Sequence, residues 1–235
     1  MMRTHNKLFH NSGFYFIILL FLAIIGFWQS YFSKLFSDID NYTHFHAITM
    51  LLWVGMLITQ AFLIRFKKRS LHRFIGKFSY GLLPALIISL ILLAHSRIVI
   101  GEDGILPTRL YTLFLQLSLL ALFIIAFGLA IANRHRPALH ARYMICTALT
   151  LIDPAVSRIP LNLPPLPFDY QVLTFGLTDL VLIVLIIMER GQKRGREVFP
   201  LMLAVFVFFQ GFNLTLTNSN VWTNFSEWFA RLPLT

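Results

Sequence analysis

The sequence predicts an all-α membrane protein, a bundle of seven transmembrane helices, and three observations carry that expectation. Seven apolar stretches come close to the ~20 residues an α-helix needs to cross a bilayer: about 14–32, 43–65, 74–95, 109–132, 141–158, 171–189 and 198–216. The 235-residue chain is 57% hydrophobic and only 13% charged, against about 25% in soluble domains, and its mean hydropathy is +0.71. Its cations, finally, are bunched into alternate connections between the apolar stretches.

The first stretch follows Arg3 and Lys7 as a signal peptide would. No small-x-small cleavage site comes after it (Gln29, Ser30, Tyr31 and Phe32 do), so it reads as a retained helix. The second stretch opens on Asn41-Tyr42-Thr43-His44-Phe45-His46 and the third follows a basic loop. The fifth is the least apolar, with Asp153, Pro154, Ser157 and Arg158 inside it. Helices 2–5 are expected to form a four-helix core with helices 1, 6 and 7 around it. Residues 1–218 make one transmembrane domain. Residues 219–235 form a tail in which Val221, Trp222, Phe225, Trp228, Phe229 and Leu232 recur at helical spacing, as in an amphipathic helix lying in the interface. Leu71-His72-Arg73-Phe74 and Leu139-His140-Ala141-Arg142-Tyr143 each open a helix behind a basic loop, which suggests a parallel repeat of helices 2–3 and 4–5.

Charge sets the expected orientation. With the N-terminus in the cytoplasm, that side receives Arg3, Lys7, Arg65, Lys67, Lys68, Arg69, Arg73, Lys77, Arg134, Arg136, Arg142, Arg190, Lys193, Arg194 and Arg196, which is 15 of the 20 Lys and Arg. The C-terminus then lies outside. Asp38, Asp40, Glu102, Asp103, Asp169 and Glu227 fall on the outer side. Cations clustered this way follow the positive-inside rule. The net charge of +10 is therefore topological, and a nucleic-acid partner is excluded. The single cysteine, Cys146, rules out an intrachain disulfide and a Cys-rich metal site. No P-loop, dinucleotide glycine motif, His-Glu-x-x-His or Gly-x-Ser-x-Gly is present.

Polar side chains inside a membrane are functional candidates by default, and the histidines fall into two layers. His72 and His140 begin helices 3 and 5 at one depth and could face each other across a bundle core, as two axial ligands of a haem b would. Arg73, Arg136 and Arg142 would pair with the carboxylates of such a cofactor. Near the other face, His44 and His46 with His95 could hold a metal or a second haem. His46, Trp53 and Gln60, spaced by seven, share one face of helix 2, and Trp53 and Gln60 would line the space between the two layers. The bland alternative is that these histidines and arginines meet lipid phosphates. Asp153 and Asp179, with Gln60 and Gln116, are mid-membrane groups of the kind used in proton or ion paths or in pairing between helices.

The strings Asn41-Tyr42-Thr43-His44-Phe45-His46, Leu71-His72-Arg73-Phe74-Ile75-Gly76-Lys77 and Leu139-His140-Ala141-Arg142-Tyr143-Met144, with Trp53 and Gln60, resemble a bacterial family of multi-spanning inner-membrane proteins known as a domain of unknown function. The resemblance covers about residues 40–165 and implies a multi-pass protein of the bacterial inner membrane with a histidine-bearing core. In arrangement, the inner histidines are also similar to those of di-haem transmembrane cytochromes b, which implies electron transfer. The outer pair departs from that pattern, because helix 4 has no histidine. Three functions follow as expectations: a haem- or metal-binding electron-transfer protein with a membrane redox partner, a proton- or ion-linked transporter using Asp153, Asp179 and Gln60, and a non-catalytic assembly factor with a membrane-complex partner.

Overall fold

The computed structural model describes residues 11–37, 39–102, 104–159 and 170–235. Arg3, Lys7, Asp38, Asp103 and Asp169, which enter the topology argument, lie outside them. The helices are α1 Ser12–Gly26, α2 Asn41–Arg65, α3 Arg69–Gly76, α4 Ser79–Arg97, α5 Pro107–Ala132, α6 Pro137–Leu149, α7 Ile152–Val156, α8 Tyr170–Glu189, α9 Val198–Leu216 and α10 Asn220–Ala230, with a 3-10 turn at Phe32–Lys34. The described residues contain no β-strand.

Local chemistry sets the helix starts. The Asp40 carboxylate accepts from the Thr43 N–H at 3.0 Å and caps α2. Pro107 and Pro137 stand in the first turns of α5 and α6, where the missing N–H costs nothing. Ser219 caps α10 by accepting from the Trp222 N–H at 3.3 Å.

Asn41–Arg65, the α3–α4 segment Arg69–Arg97, Pro107–Ala132, Tyr170–Glu189 and Val198–Leu216 are each long and apolar enough to cross a membrane. Phe21, Leu180, Ile187 and Phe208 are all more than half exposed on the outside of the bundle, a surface suited to lipid rather than water. Together these features mark a multi-pass integral membrane protein.

Three expected helices come out differently. The stretch 14–32 is helical only to Gly26, where α1 lies so close to α7 that a Cβ would overlap the Ala155 carbonyl. The chain turns there, and Trp28 and Tyr31 leave the helix. At 15 residues α1 is apolar but short of crossing length. The stretch 74–95 begins five residues earlier and is bent at Lys77–Phe78, so His72 belongs to the separate helix α3. The stretch 141–158 is broken at Thr150–Leu151 into α6 and α7. The cause is Pro154: it has no N–H to offer the Thr150 carbonyl, and its ring crowds that carbonyl four residues back.

The centre of the bundle also differs from the expected core of helices 2–5. Going round, α1 packs on α2, α2 on α4, α4 on α5, α5 on α9, α9 on α8, α8 on α7 and α7 on α1. The broken α6–α7 segment runs through the middle, touching α5 and α9 with α6 and α1 and α8 with α7. From Arg142 to Val156 every residue except Met144, Ile145 and Pro154 is buried. The least apolar stretch is thus largely enclosed by its neighbours. Its small side chains, Cys146, Thr147, Ala148 and Ala155, let neighbours approach closely.

The loops at 66–68, 133–136 and 190–197 gather at one end, called here the basic end. Those at 27–40 and 98–106 gather with α10 at the other, the cavity end. The tail is more than an interfacial helix. Trp222 donates its indole N–H to the Leu110 carbonyl at 3.0 Å, and Phe229 is buried against α4 and α5 residues.

Candidate functional site

Between α1, α2, α4, α5 and α7 lies a cavity of about 440 Å³, within the range of small-molecule sites. Its deep wall is apolar, formed by mid-helix residues such as Met50, Val54, Leu86 and Phe123, while its mouth carries Tyr31, Thr43, His46, Arg97 and Arg158. Among the described residues no carboxylate lines it. Thr150 and Pro154, at the break in the central segment, form part of its wall. Their helical neighbours need not pack tightly there, because the α6 axis ends at Leu149.

The two arginines are held differently. Arg97 pairs with Asp40, donates to Thr43 Oγ1 at 2.7 Å, and receives Arg109 on its own carbonyl at 2.8 Å. Burial alone would raise the Asp40 carboxyl. The Thr43 N–H and hydroxyl and the Arg97 guanidinium outweigh it and hold that carboxyl below its ordinary value. Arg158 lies over the Phe27 ring, 4.7 Å from its centre, and donates to the Pro154 carbonyl at 2.7 Å. Among the described residues it has no carboxylate in contact. His46 and Asp153 are the groups within its electrostatic reach.

Behind the break is a second, much smaller void of about 20 Å³ among α5, α7, α8 and α9. Asp153, 2% exposed, accepts on Oδ1 from Gln171 Nε2 at 2.6 Å and from the Thr174 hydroxyl. Asp153 Oδ2 and both side-chain atoms of Asn213 are buried without a protein partner, and both residues line this void. The break thus presents Asp153 to one cavity and Pro154 to the other. Asp179 is separate. It accepts from Gln210 Nε2 at 3.1 Å, pairing α8 with α9.

The histidine layers do not close as the sequence suggested. His44 Nδ1 is 3.2 Å from the Tyr31 hydroxyl, His46 Nδ1 is 3.2 Å from Ser89 Oγ, and His95 Nδ1 is 2.6 Å from Thr235 Oγ1 with its ring against Phe229. Each goes to a different helix or loop. No three His, Cys, Asp or Glu among the described residues are grouped to hold a metal ion. His72 and His140 do come within electrostatic reach of each other at the basic end. His140 Nδ1 lies 2.8 Å from the Ala130 carbonyl, which leaves its Nε2 as an acceptor. The Gln60 amide, oriented so that both its groups are satisfied, donates to His72 Nδ1 and accepts from the Gly76 N–H at 3.0 Å. In that orientation His72 Nδ1 is taken up by the Gln60 amide. Arg73 is exposed. Arg142, 1% exposed, has its fork on Glu189, with Nη2 to Oε1 at 3.0 Å, and a further bond to the Ala138 carbonyl. Trp53 is fully buried edge-on to Phe123 and Phe127, 4.8 and 5.5 Å away, and donates to Thr147 Oγ1 at 3.3 Å. It fills core rather than lining a cofactor space. Nothing in these contacts among the described residues supports a haem or metal held by the histidines.

Sequence reasoning missed Arg158, Arg97, Glu189 and Asn213 as site residues. Arg158 carried a usable signal, being a cation in the least apolar stretch on the cation-poor side. Asn213 carried none, since asparagine in an apolar helix is read only from its depth and its neighbours. No family model, no curated protein and no solved structure matches this chain.

Proposed function

We propose that the protein is a membrane carrier whose larger cavity takes up an amphipathic organic anion, a carboxylate or phosphate head on a hydrocarbon tail. The observation that carries this reading is Arg158, a guanidinium facing a 440 Å³ cavity that has an apolar floor and, among the described residues, no acidic lining residue. An anionic head would replace the missing carboxylate and make charge-assisted hydrogen bonds, the strong kind in a partly dry site. The tail would cover the Met50, Val54, Leu86 and Phe123 wall, with a gain of roughly 25 cal/mol per Å² covered. The discontinuous central segment supports carriage over static binding. Broken helices with freed backbone groups line the midplane sites of transporters and are stable only where they border a cavity or protein.

In this reading the chain crosses the inner membrane seven times, α1 and the broken α6–α7 segment included, with the N-terminus in the cytoplasm and the cavity end outside. The remaining basic residues of the cytoplasmic loops meet anionic lipid.

Binding is tested with purified protein and a fluorescent polyene fatty acid, alongside the corresponding alcohol. The acid should bind at least about tenfold more tightly than the alcohol, and Arg158→Gln should remove that preference, as expected for loss of one charge-assisted bond. Equal binding of acid and alcohol, or an unchanged Arg158→Gln, would refute the anion reading. Orientation is tested with an impermeant maleimide on Thr235→Cys in whole cells. The native Cys146 is fully buried and gives a silent background.

A further inference from the structure

We propose that Asp153, Asn213 and one water between them form an internal proton-binding site, and that its charge state sets the affinity for the anion at Arg158. The site is argued from geometry, and only the coupling rests on the function proposed above.

The void of about 20 Å³ exceeds the 10–15 Å³ that one water molecule needs, and its lining supplies the two to four polar partners that keep a water in place. Those partners are Asp153 Oδ2 and the Asn213 amide, both buried and without protein partners, with Ser118, Thr178 and Gln210 beside them. Asn213 is 1% exposed in the middle of an apolar helix. An amide with neither donor nor acceptor used is costly at that depth, and a bridging water would offset this. Oδ1 of Asp153 is already occupied by Gln171 and Thr174. The exchangeable proton therefore belongs on Oδ2, facing the water.

The surroundings single out Arg158 as the group to which this proton speaks. On its own segment Asp153 has Arg158. α6 carries His140, Arg142, Tyr143 and Cys146. α8 carries Tyr170, Asp179 and Glu189. α5 carries Arg109 and Tyr111, α1 only the exposed Tyr15, and α9 no titratable residue. Of these, Arg158 alone acts on Asp153 through its charge among the described residues. Arg142 and Glu189 neutralise each other at the far end. When Asp153 is ionised it partly cancels Arg158 and repels an anion bound there. When it takes up a proton the guanidinium is uncompensated and the anion binds more tightly. A proton and an anion would thus be taken up together, one on each side of the Thr150–Pro154 break.

The test has two arms on the same purified protein. Infrared spectra across pH should show the carbonyl stretch of a buried protonated carboxylic acid. The band should titrate, disappear in Asp153→Asn, persist in Asp179→Asn and shift in Asn213→Ala. Affinity for the fluorescent fatty acid should rise by roughly threefold or more as that band appears, the scale of a charge removed at medium range, and should be tight at every pH in Asp153→Asn. A band that is absent at all pH values, or that survives Asp153→Asn, overturns the proton site. A titrating band with pH-independent fatty-acid affinity overturns the coupling. Stabilisation by sodium with no such band would make this a cation site and overturn the proposal as well. If the fatty acid never binds, the carrier reading fails and the infrared arm alone still decides the site.

Discussion

Arg142 and Arg158 lie near opposite ends of the same central segment, and the contrast between them separates a buried charge from an exposed one. At the basic end, Arg142 is enclosed with a carboxylate on its fork. Gly195, in the left-handed region at φ 80°, lies so close that a Cβ there would come within 2.8 Å of Nη1. His140, Gln60 and His72 are tied down in the same region. At the cavity end, Arg158 leans on an aromatic ring and a backbone carbonyl, beside open space. A saturated charge holds helices together, whereas an unsaturated one is available to a ligand.

The largest effect should come from breaking the saturated pair. Glu189→Gln or Arg142→Met leaves one buried charge alone and should cost about 3–5 kcal/mol of stability, measured by thermal or denaturant unfolding in detergent. Replacing both residues with apolar ones should recover most of that loss. Arg158→Gln is the matched control and should change stability by less than about 0.5 kcal/mol while weakening anion binding. Equal losses at the two arginines would dissolve the contrast.

A second comparison concerns packing around the central segment. Gly26→Ala would put a methyl into the Ala155 carbonyl, forcing α1 off α7 at a cost of about 1–3 kcal/mol. Gly128→Ala and Gly176→Ala meet nothing within 4 Å and should be neutral or slightly stabilising. Trp53→Phe removes the indole bond to Thr147 and should cost about 1 kcal/mol. The smallest expected effect is at the rim. Asp40→Asn should lower stability by at most about 1 kcal/mol at neutral pH, because the Arg97 pair is partly exposed. The Asp40 carboxyl is held below its unfolded value, so its contribution is present above that value and is lost as pH falls through the folded one. The mutant and wild-type melting curves should therefore converge as pH drops below roughly 4.

Much of this architecture was legible from the residues. The helical class and the membrane setting follow from apolar length. Asp153 was visible as a site candidate because a carboxylate in an apolar run has no cheap explanation. Pro154 announced a freed carbonyl next to it. The outer histidines do not come together as a metal group among the described residues, because depth is readable from a sequence but rotation is not. His72 and His140 do share a level, yet the hydrogen bonds of their rings depend on Gln60 and on the Ala130 carbonyl, which spacing alone does not align.

By itself the sequence determined where the chain is apolar and where its cations gather. These are local properties, set by side-chain transfer energies. Only the tertiary structure decided that the least apolar stretch takes the centre, that Glu189 reaches Arg142 across 47 positions, and that Asn213 and Asp153 share a void. Those outcomes depend on which face each helix turns inward. Helix rotation is settled by packing among neighbours, which no single segment encodes.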